Sequence, residues 1–136
     1  WALSLSASYM DTARTNTRPP LEEGERLPLA PQTNASAGLQ YNFTMNGYSG
    51  FIRTDISYVG TYSSAERFLS LPDAGDYVDT SLHLGITMNH WDLTLYGTNL
   101  TGNDDARVSY LGAFGAPRAD IRAVPRRFGI KANYNF

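Results

Sequence analysis

A few residues in this chain are of types that do chemistry. Asp79, Ser81 and His83 supply the acid, hydroxyl and imidazole of a hydrolytic triad within one short segment. That segment alternates with period two, however, and side chains at i and i+2 of a strand stand roughly 6.5–7 Å apart. A direct Ser–His hydrogen bond cannot span that distance, so the set reads as polar lining and no catalytic residue is assigned. Asp104-Asp105 offers hard oxygen ligands of the kind calcium takes. Two adjacent acids in a polar loop more often make a solvated turn, so no metal site is assigned. Arg14, Arg18, Arg107, Arg118 and Arg122 lie outside the alternating segments and suit the attraction of an anionic ligand. His90 reads as turn surface.

The elements that position these residues are strands. Six segments of about ten residues alternate apolar and polar side chains: 1–10, 32–43, 48–62, 77–88, 91–100 and 125–136. The last shows the pattern best. Phe128, Ile130, Ala132, Tyr134 and Phe136 take one face, and Arg127, Gly129, Lys131, Asn133 and Asn135 the other. All the strand charges fall on the polar set: Arg53, Asp55, Asp79, Asp92, Arg127 and Lys131. Arg127 and Lys131 are expected to pair with acids of that face such as Asp92, and Gly85 and Gly129 to make room for a close neighbour. Asn46-Gly47 and Asn89-His90 mark tight turns. The other connections, 11–31, 63–76 and 101–124, are long, and the first carries Pro19, Pro20, Pro28 and Pro31. Long and short connections alternate, so all the long ones fall at one end.

Composition narrows the classes. The chain has 136 residues, one domain's worth, with 42% hydrophobic residues and a mean hydropathy of −0.34. No apolar run approaches the roughly 20 residues of a transmembrane helix, but barrel strands escape such a scan because their alternation averages out. A net charge of −2 without a basic block speaks against nucleic acid as a partner. The absence of cysteine removes disulfides and thiolate chemistry. Twelve glycines and nine tyrosines favour strands and turns. Trp1 opens inside a strand pattern with no export signal before it, as expected for a piece of a longer protein.

The alternation, the ten-residue spans, the asymmetry of the connections and the aromatics at strand ends (Trp1, Phe43, Tyr48, Trp91 and Phe136; Tyr9, Tyr58 and Tyr62 at the other ends) predict transmembrane strands. Four local patterns then resemble, in order, the C-terminal part of TonB-dependent outer-membrane receptors. They are Leu27-Pro28 with Pro31 before Tyr41-Asn42-Phe43; Arg53 before Tyr58-Val59-Gly60; Trp91 before Asn99-Leu100-Thr101; and Pro125-Arg126 with Gly129 and the terminal Phe136. Gly102-Asn103 stands where the family more often has an acid.

The resemblance covers essentially the whole chain. It implies an all-β, antiparallel up-and-down meander of six transmembrane strands, the C-terminal section of a 22-stranded outer-membrane β-barrel. It implies uptake of a scarce ligand such as a ferric siderophore, with no enzyme activity and no cofactor. The partners implied are outer-membrane lipid of a Gram-negative bacterium, TonB through a preceding N-terminal part, and the barrel-assembly machinery. In the family a terminal aromatic is read by that machinery, which assigns Tyr134 and Phe136 as an assembly signal. A porin-like or structural barrel is the alternative in another class, and a soluble all-β binding module a third.

Overall fold

The computed structural model describes residues 1–15, 18–65, 69–111 and 117–136. The described residues form strands β1 (Ala2–Tyr9), β2 (Thr33–Met45), β3 (Tyr48–Val59), β4 (Tyr62–Ser63), β5 (Asp73–Ala74), β6 (Tyr77–Met88), β7 (Trp91–Thr98), β8 (Ala106–Tyr110), β9 (Ala119–Arg122) and β10 (Arg127–Tyr134). Six of them make one antiparallel sheet in the order β1-β2-β3-β6-β7-β10, and β4–β5 and β8–β9 are separate two-stranded hairpins. The expected meander is therefore present, with β1 and β10 as its two edges.

Turn chemistry sets the register. Asn46 and Gly47, with φ of 51° and 82°, close β2 onto β3 as a two-residue turn. Asn89, at φ 52°, opens the corresponding turn from β6 to β7. The pairing that follows carries the predicted faces across the sheet. Leu3, Leu39, Thr54, Leu82, Gly97 and Phe128 lie in one row, and Tyr41, Ile52, Leu84, Leu95 and Ile130 in the next. On the opposite face run Ser4, Gly38, Asp55, Ser81, Thr98 and Arg127. A slip of one residue would exchange the two faces.

Beyond shifts of one or two residues at strand ends, the structure departs from the sequence reading in three places. The third strand ends at Val59, not at residue 62. The Gly60 amide turns to the Thr33 carbonyl at 2.8 Å, and Gly75 packs so closely on the Gly60 backbone that no side chain fits there. Tyr62–Ser63 then pairs with Asp73–Ala74, so a hairpin joins the last residue expected in the third strand to the long connection 63–76. The long connection 101–124 likewise contains the β8–β9 hairpin.

The sheet has one layer and almost no interior. Among the described residues the only buried hydrophobe is Ala74, in the hairpins above the sheet. The total accessible surface is 9534 Å², whereas a compact 15 kDa chain exposes about 7,000 Å². Leu5, Ile56, Leu84, Leu95 and Ile130 stay exposed on the apolar face.

Four strand glycines are each covered by the aromatic ring directly opposite: Gly50 by Phe43, Gly85 by Phe51, Gly97 by Phe128 and Gly129 by Tyr96. The room expected at Gly85 and Gly129 is thus filled by rings lying on bare backbone. Gly85→Val should force Phe51 off its seat and cost about 1–3 kcal/mol by overpacking. In a Phe51→Ala background most of that cost should vanish, as a double-mutant cycle on the unfolding free energy would reveal. Equal costs in both backgrounds would mean that the ring does not occupy the glycine's space.

Candidate functional site

The polar face holds a concavity of about 560 Å³ at the end where the long connections emerge. Its floor comes from β2, β3, β6 and β7, and Arg107, Arg122, Ala123 and Val124 of the 101–124 connection close one side. Two ion pairs stand in it. Arg53 and Asp55 share a face of β3 at i and i+2, and the guanidinium donates through Nε at 2.8 Å and Nη2 at 2.6 Å to the two carboxylate oxygens. Gly38 opposite leaves the space, since a Cβ there would lie 2.7 Å from Asp55 Oδ1.

Arg107 makes the second pair and fastens a hairpin to the wall. Its Nη2 donates to both oxygens of Asp79 at 2.9 Å, and its guanidinium carbon lies 3.2 Å above the centre of the Tyr77 ring. Its backbone carbonyl accepts the Tyr62 hydroxyl at 2.6 Å. One residue of β8 therefore joins β6 and the β4–β5 hairpin, through a charge-assisted pair and a cation–π contact. Burial, with Tyr77 nearby, raises the pKa of Tyr62 against the opposing effect of Arg107, which keeps the phenol a donor.

Asn99 closes the base of the same connection. It sits at φ 50°, a conformation asparagine tolerates better than most residues. Its amide donates to the carbonyls of Asn103 at 2.7 Å and Val124 at 2.8 Å, and its oxygen accepts the Asn103 amide at 2.9 Å. Thr101 then ties back to β6, with its hydroxyl donating to the Val78 carbonyl at 2.9 Å and its amide to Thr80 Oγ1 at 3.1 Å. The Asn99-Leu100-Thr101 triplet is thus a clasp where β7 leaves the sheet. Within the hairpin, Ser109 is 2% exposed and donates to Asp120 at 2.7 Å. That hydrogen bond holds the Asp120 carboxyl below its ordinary range against the effect of burial, and Arg118 at 3.2 Å adds to it.

The residues singled out in the sequence fare differently. Asp79, Ser81 and His83 make no hydrogen bonds to one another: Asp79 serves Arg107, the Ser81 carbonyl accepts from Thr54, and the His83 ring stacks 6.3 Å from Tyr96. The Asp104 carbonyl accepts from Arg122, and the Asp105 amide donates to Asn103. Among the described residues no group of three or more His, Asp or Glu comes together as metal ligands would. Of the five loop arginines, Arg107 and Arg118 are taken by aspartates, whereas Arg122 lines the concavity. The backbone of Arg14 pairs with Gly24 and Glu25, and the Arg18 carbonyl accepts from Leu21.

The expected pairing of Arg127 and Lys131 with Asp92 does not form. Asp92 is occupied by the Thr87 hydroxyl at 2.7 Å and the Asn135 amide at 2.9 Å. In register it stands opposite Asn133, with Lys131 opposite Thr94 and Arg127 opposite Thr98. Tyr134 packs edge-on against Trp91 at 5.0 Å and Phe136 at 5.1 Å, and Phe136 is fully exposed. Near the other short turn, Trp1, Tyr41 and Phe43 form a second ladder at 4.4 and 6.1 Å. No protein-family model matches the chain, and no solved structure matches it significantly.

The clasp is testable. Asn99→Asp keeps the backbone tolerance but loses both donated hydrogen bonds, so it should cost roughly 2 kcal/mol at about one per bond. Hydrogen exchange should speed up in residues 103–126 and stay unchanged in β2 and β3. Uniform acceleration across the sheet, or none, would contradict this local role.

Proposed function

We propose that this chain is wall and loops of an outer-membrane β-barrel, the C-terminal six strands of a TonB-dependent transporter. One observation carries the reading: a single-layer sheet with a continuous, charge-free apolar face that nothing among the described residues covers. A soluble module needs a second layer over such a face, whereas lipid covers it in a barrel wall. The central strands are long enough: β2, β3 and β6 have 13, 12 and 12 residues, and roughly 9–11 cross a bilayer with tilt, whereas β1, β7 and β10 have 8 each. Aromatic ladders at the short-turn end fit a girdle at the membrane interface.

In this reading the polar face lines the lumen, the long connections lie outside the cell, and the concavity behind them receives ligand. Capture would occur there, and release would be driven by TonB through a plug preceding this section. The chain's own part is to hold the β8–β9 hairpin and its arginines in place through Arg107 and Asn99. The 22-strand context and the ferric-siderophore class rest on the four sequence patterns above. For the full-length protein, uptake should disappear in cells lacking TonB, while surface display persists. Uptake that survives loss of TonB would indicate a passive barrel instead.

The lipid face has its own test. Leu84→Arg should cost roughly 2–4 kcal/mol for unfolding from lipid vesicles, as a cation does at the bilayer midplane. Ser81→Arg, on the other face, should cost much less, and equal costs would refute the assignment of faces. Phe136 offers a separate one. The ring is exposed and packs edge-on against Tyr134 at 5.1 Å, far from the concavity's lining residues, so deleting it should leave ligand affinity intact while sharply lowering the amount of receptor in the outer membrane. Normal surface levels with lost binding would remove Tyr134 and Phe136 as an assembly signal.

A further inference from the structure

The apolar face is not smooth. A groove of about 420 Å³ runs across β6, β7 and β10, walled by Leu82, Leu84, Leu95, Leu100, Phe128 and Ile130. Gly97 shapes it from below. With no side chain there, Leu100 Cδ2 and the Phe128 ring close to 2.9 and 3.0 Å of where a Cβ would stand. Leu84, Leu95, Phe128 and Ile130 remain exposed along it. A cation stands beyond its Phe128 end, on the side of the long connections. Arg126 precedes Phe128 by two positions and so continues the alternation of that face. Phe128 pairs with Gly97 and Arg127 with Thr98, which brings Arg126 opposite Asn99. The turn 99–102 touches both features. Leu100 enters the groove, and the Arg126 guanidinium lies over Gly102, where a Cβ would come within 2.6 Å of Nη2. The hydrogen bond of Arg126 to the Asn99 carbonyl is long, 3.5 Å from Nε. Among the described residues no carboxylate comes within ion-pair distance of it.

We infer that the groove and Arg126 together hold one phosphate-bearing lipid of the external leaflet. An acyl chain lies along Leu84, Leu95 and Ile130, and the headgroup phosphate meets the Arg126 guanidinium. The two parts of the site match the two parts of such a molecule in kind and in order. The groove has the size of a ligand site and offers almost only hydrocarbon, which suits a chain that needs no hydrogen bonds. A guanidinium fork suits phosphate, and more so near the hydrocarbon boundary than in open water. An added peptide strand fits less well, because β6 and β7 already have hydrogen-bonded neighbours on both sides. The inference rests on the proposal that the apolar face meets lipid. It goes beyond that proposal in assigning one lipid a fixed place and a charge partner.

The test is titration of the full-length protein, delipidated in detergent, with the phosphorylated glycolipid lipid A, with lipid A stripped of its phosphates, and with inorganic phosphate. Occupancy is read by native mass spectrometry. Intact lipid A should bind one to one, and tighter than the stripped form. Arg126→Gln should raise the half-saturating concentration of intact lipid A at least about tenfold, as loss of a charge-assisted pair does, and leave the stripped form unchanged. Ile130→Ser should weaken both forms. Lys131→Gln, on the same strand but the other face, should change neither. Folding of each variant is checked by heat-modifiable migration in gels. Equal binding with and without phosphate, indifference to Arg126→Gln, inorganic phosphate binding as tightly as the lipid, or a second protein chain retained in place of lipid would overturn the site. The reading of the face is judged separately. A chain that folds as a barrel in detergent without phosphate-dependent retention keeps the wall and rejects the site. Phosphate-dependent binding by a chain soluble without detergent keeps the site and rejects the wall.

Discussion

A sheet of one layer has no interior, so every side chain must suit one of two outer environments. The remaining features of this structure follow from that constraint. Tight turns at Asn46-Gly47 and Asn89-His90 fix a register in which six strands contribute to the same two faces. The polar face receives all the strand charges, and the apolar face receives none. The surface of 9534 Å² exceeds that of a compact chain of this mass by about 2,500 Å², and large apolar side chains such as Leu5, Leu84 and Ile130 are among those exposed. Stability in such a sheet comes from cross-strand contacts, since none comes from a core. This explains why rings lie over glycines on both faces: an aromatic seated on bare backbone buries more area than two side chains standing apart.

The same constraint governs the polar connections. With no core to anchor them, they are held by directional bonds at a few points. Arg107 anchors one hairpin through Asp79, Tyr77 and Tyr62, and Asn99 anchors the base of the same connection through Asn103 and Val124. Both anchors reach far along the chain, and both leave the backbone between them free to present side chains. Arg122 is such a side chain, carried by β9 at the edge of the concavity.

The sequence makes the sheet legible and hides the anchors. Period-two alternation in segments such as 125–136 depends on neighbouring residues alone, so the six strands, their order and their faces follow from it. The end of β3 does not, because Val59 stops the strand where Thr33 and Gly75 meet Gly60, contacts remote in sequence. The hairpins within 63–76 and 101–124 are short and irregular in pattern and left no periodic trace. Arg107–Asp79 spans 28 positions, and no spacing rule links such a pair. Asn99 is intermediate. Its place after a strand and before Leu100-Thr101 was visible, but its role required the Val124 carbonyl to be brought beside it. Lys131 shows the opposite failure: shared face and opposite charge suggested Asp92, yet Thr87 and Asn135 already satisfied that carboxylate.

The distribution of arginine pairs follows from the cost of burying charge. A guanidinium sunk against a wall loses water and must recover the lost hydration from a carboxylate or a ring. Arg107, with a side chain only 18% exposed, has both, although its Nη1 is buried without an acceptor. Arg122 is exposed and keeps its water, so the Asp104 carbonyl at 3.3 Å and the nearby Asp120 carboxylate suffice for it. The pairs of Arg53 with Asp55 and of Arg107 with Asp79 fix side chains against the wall. Removing Asp79 would leave the Arg107 guanidinium against the wall with the Tyr77 ring but without its carboxylate.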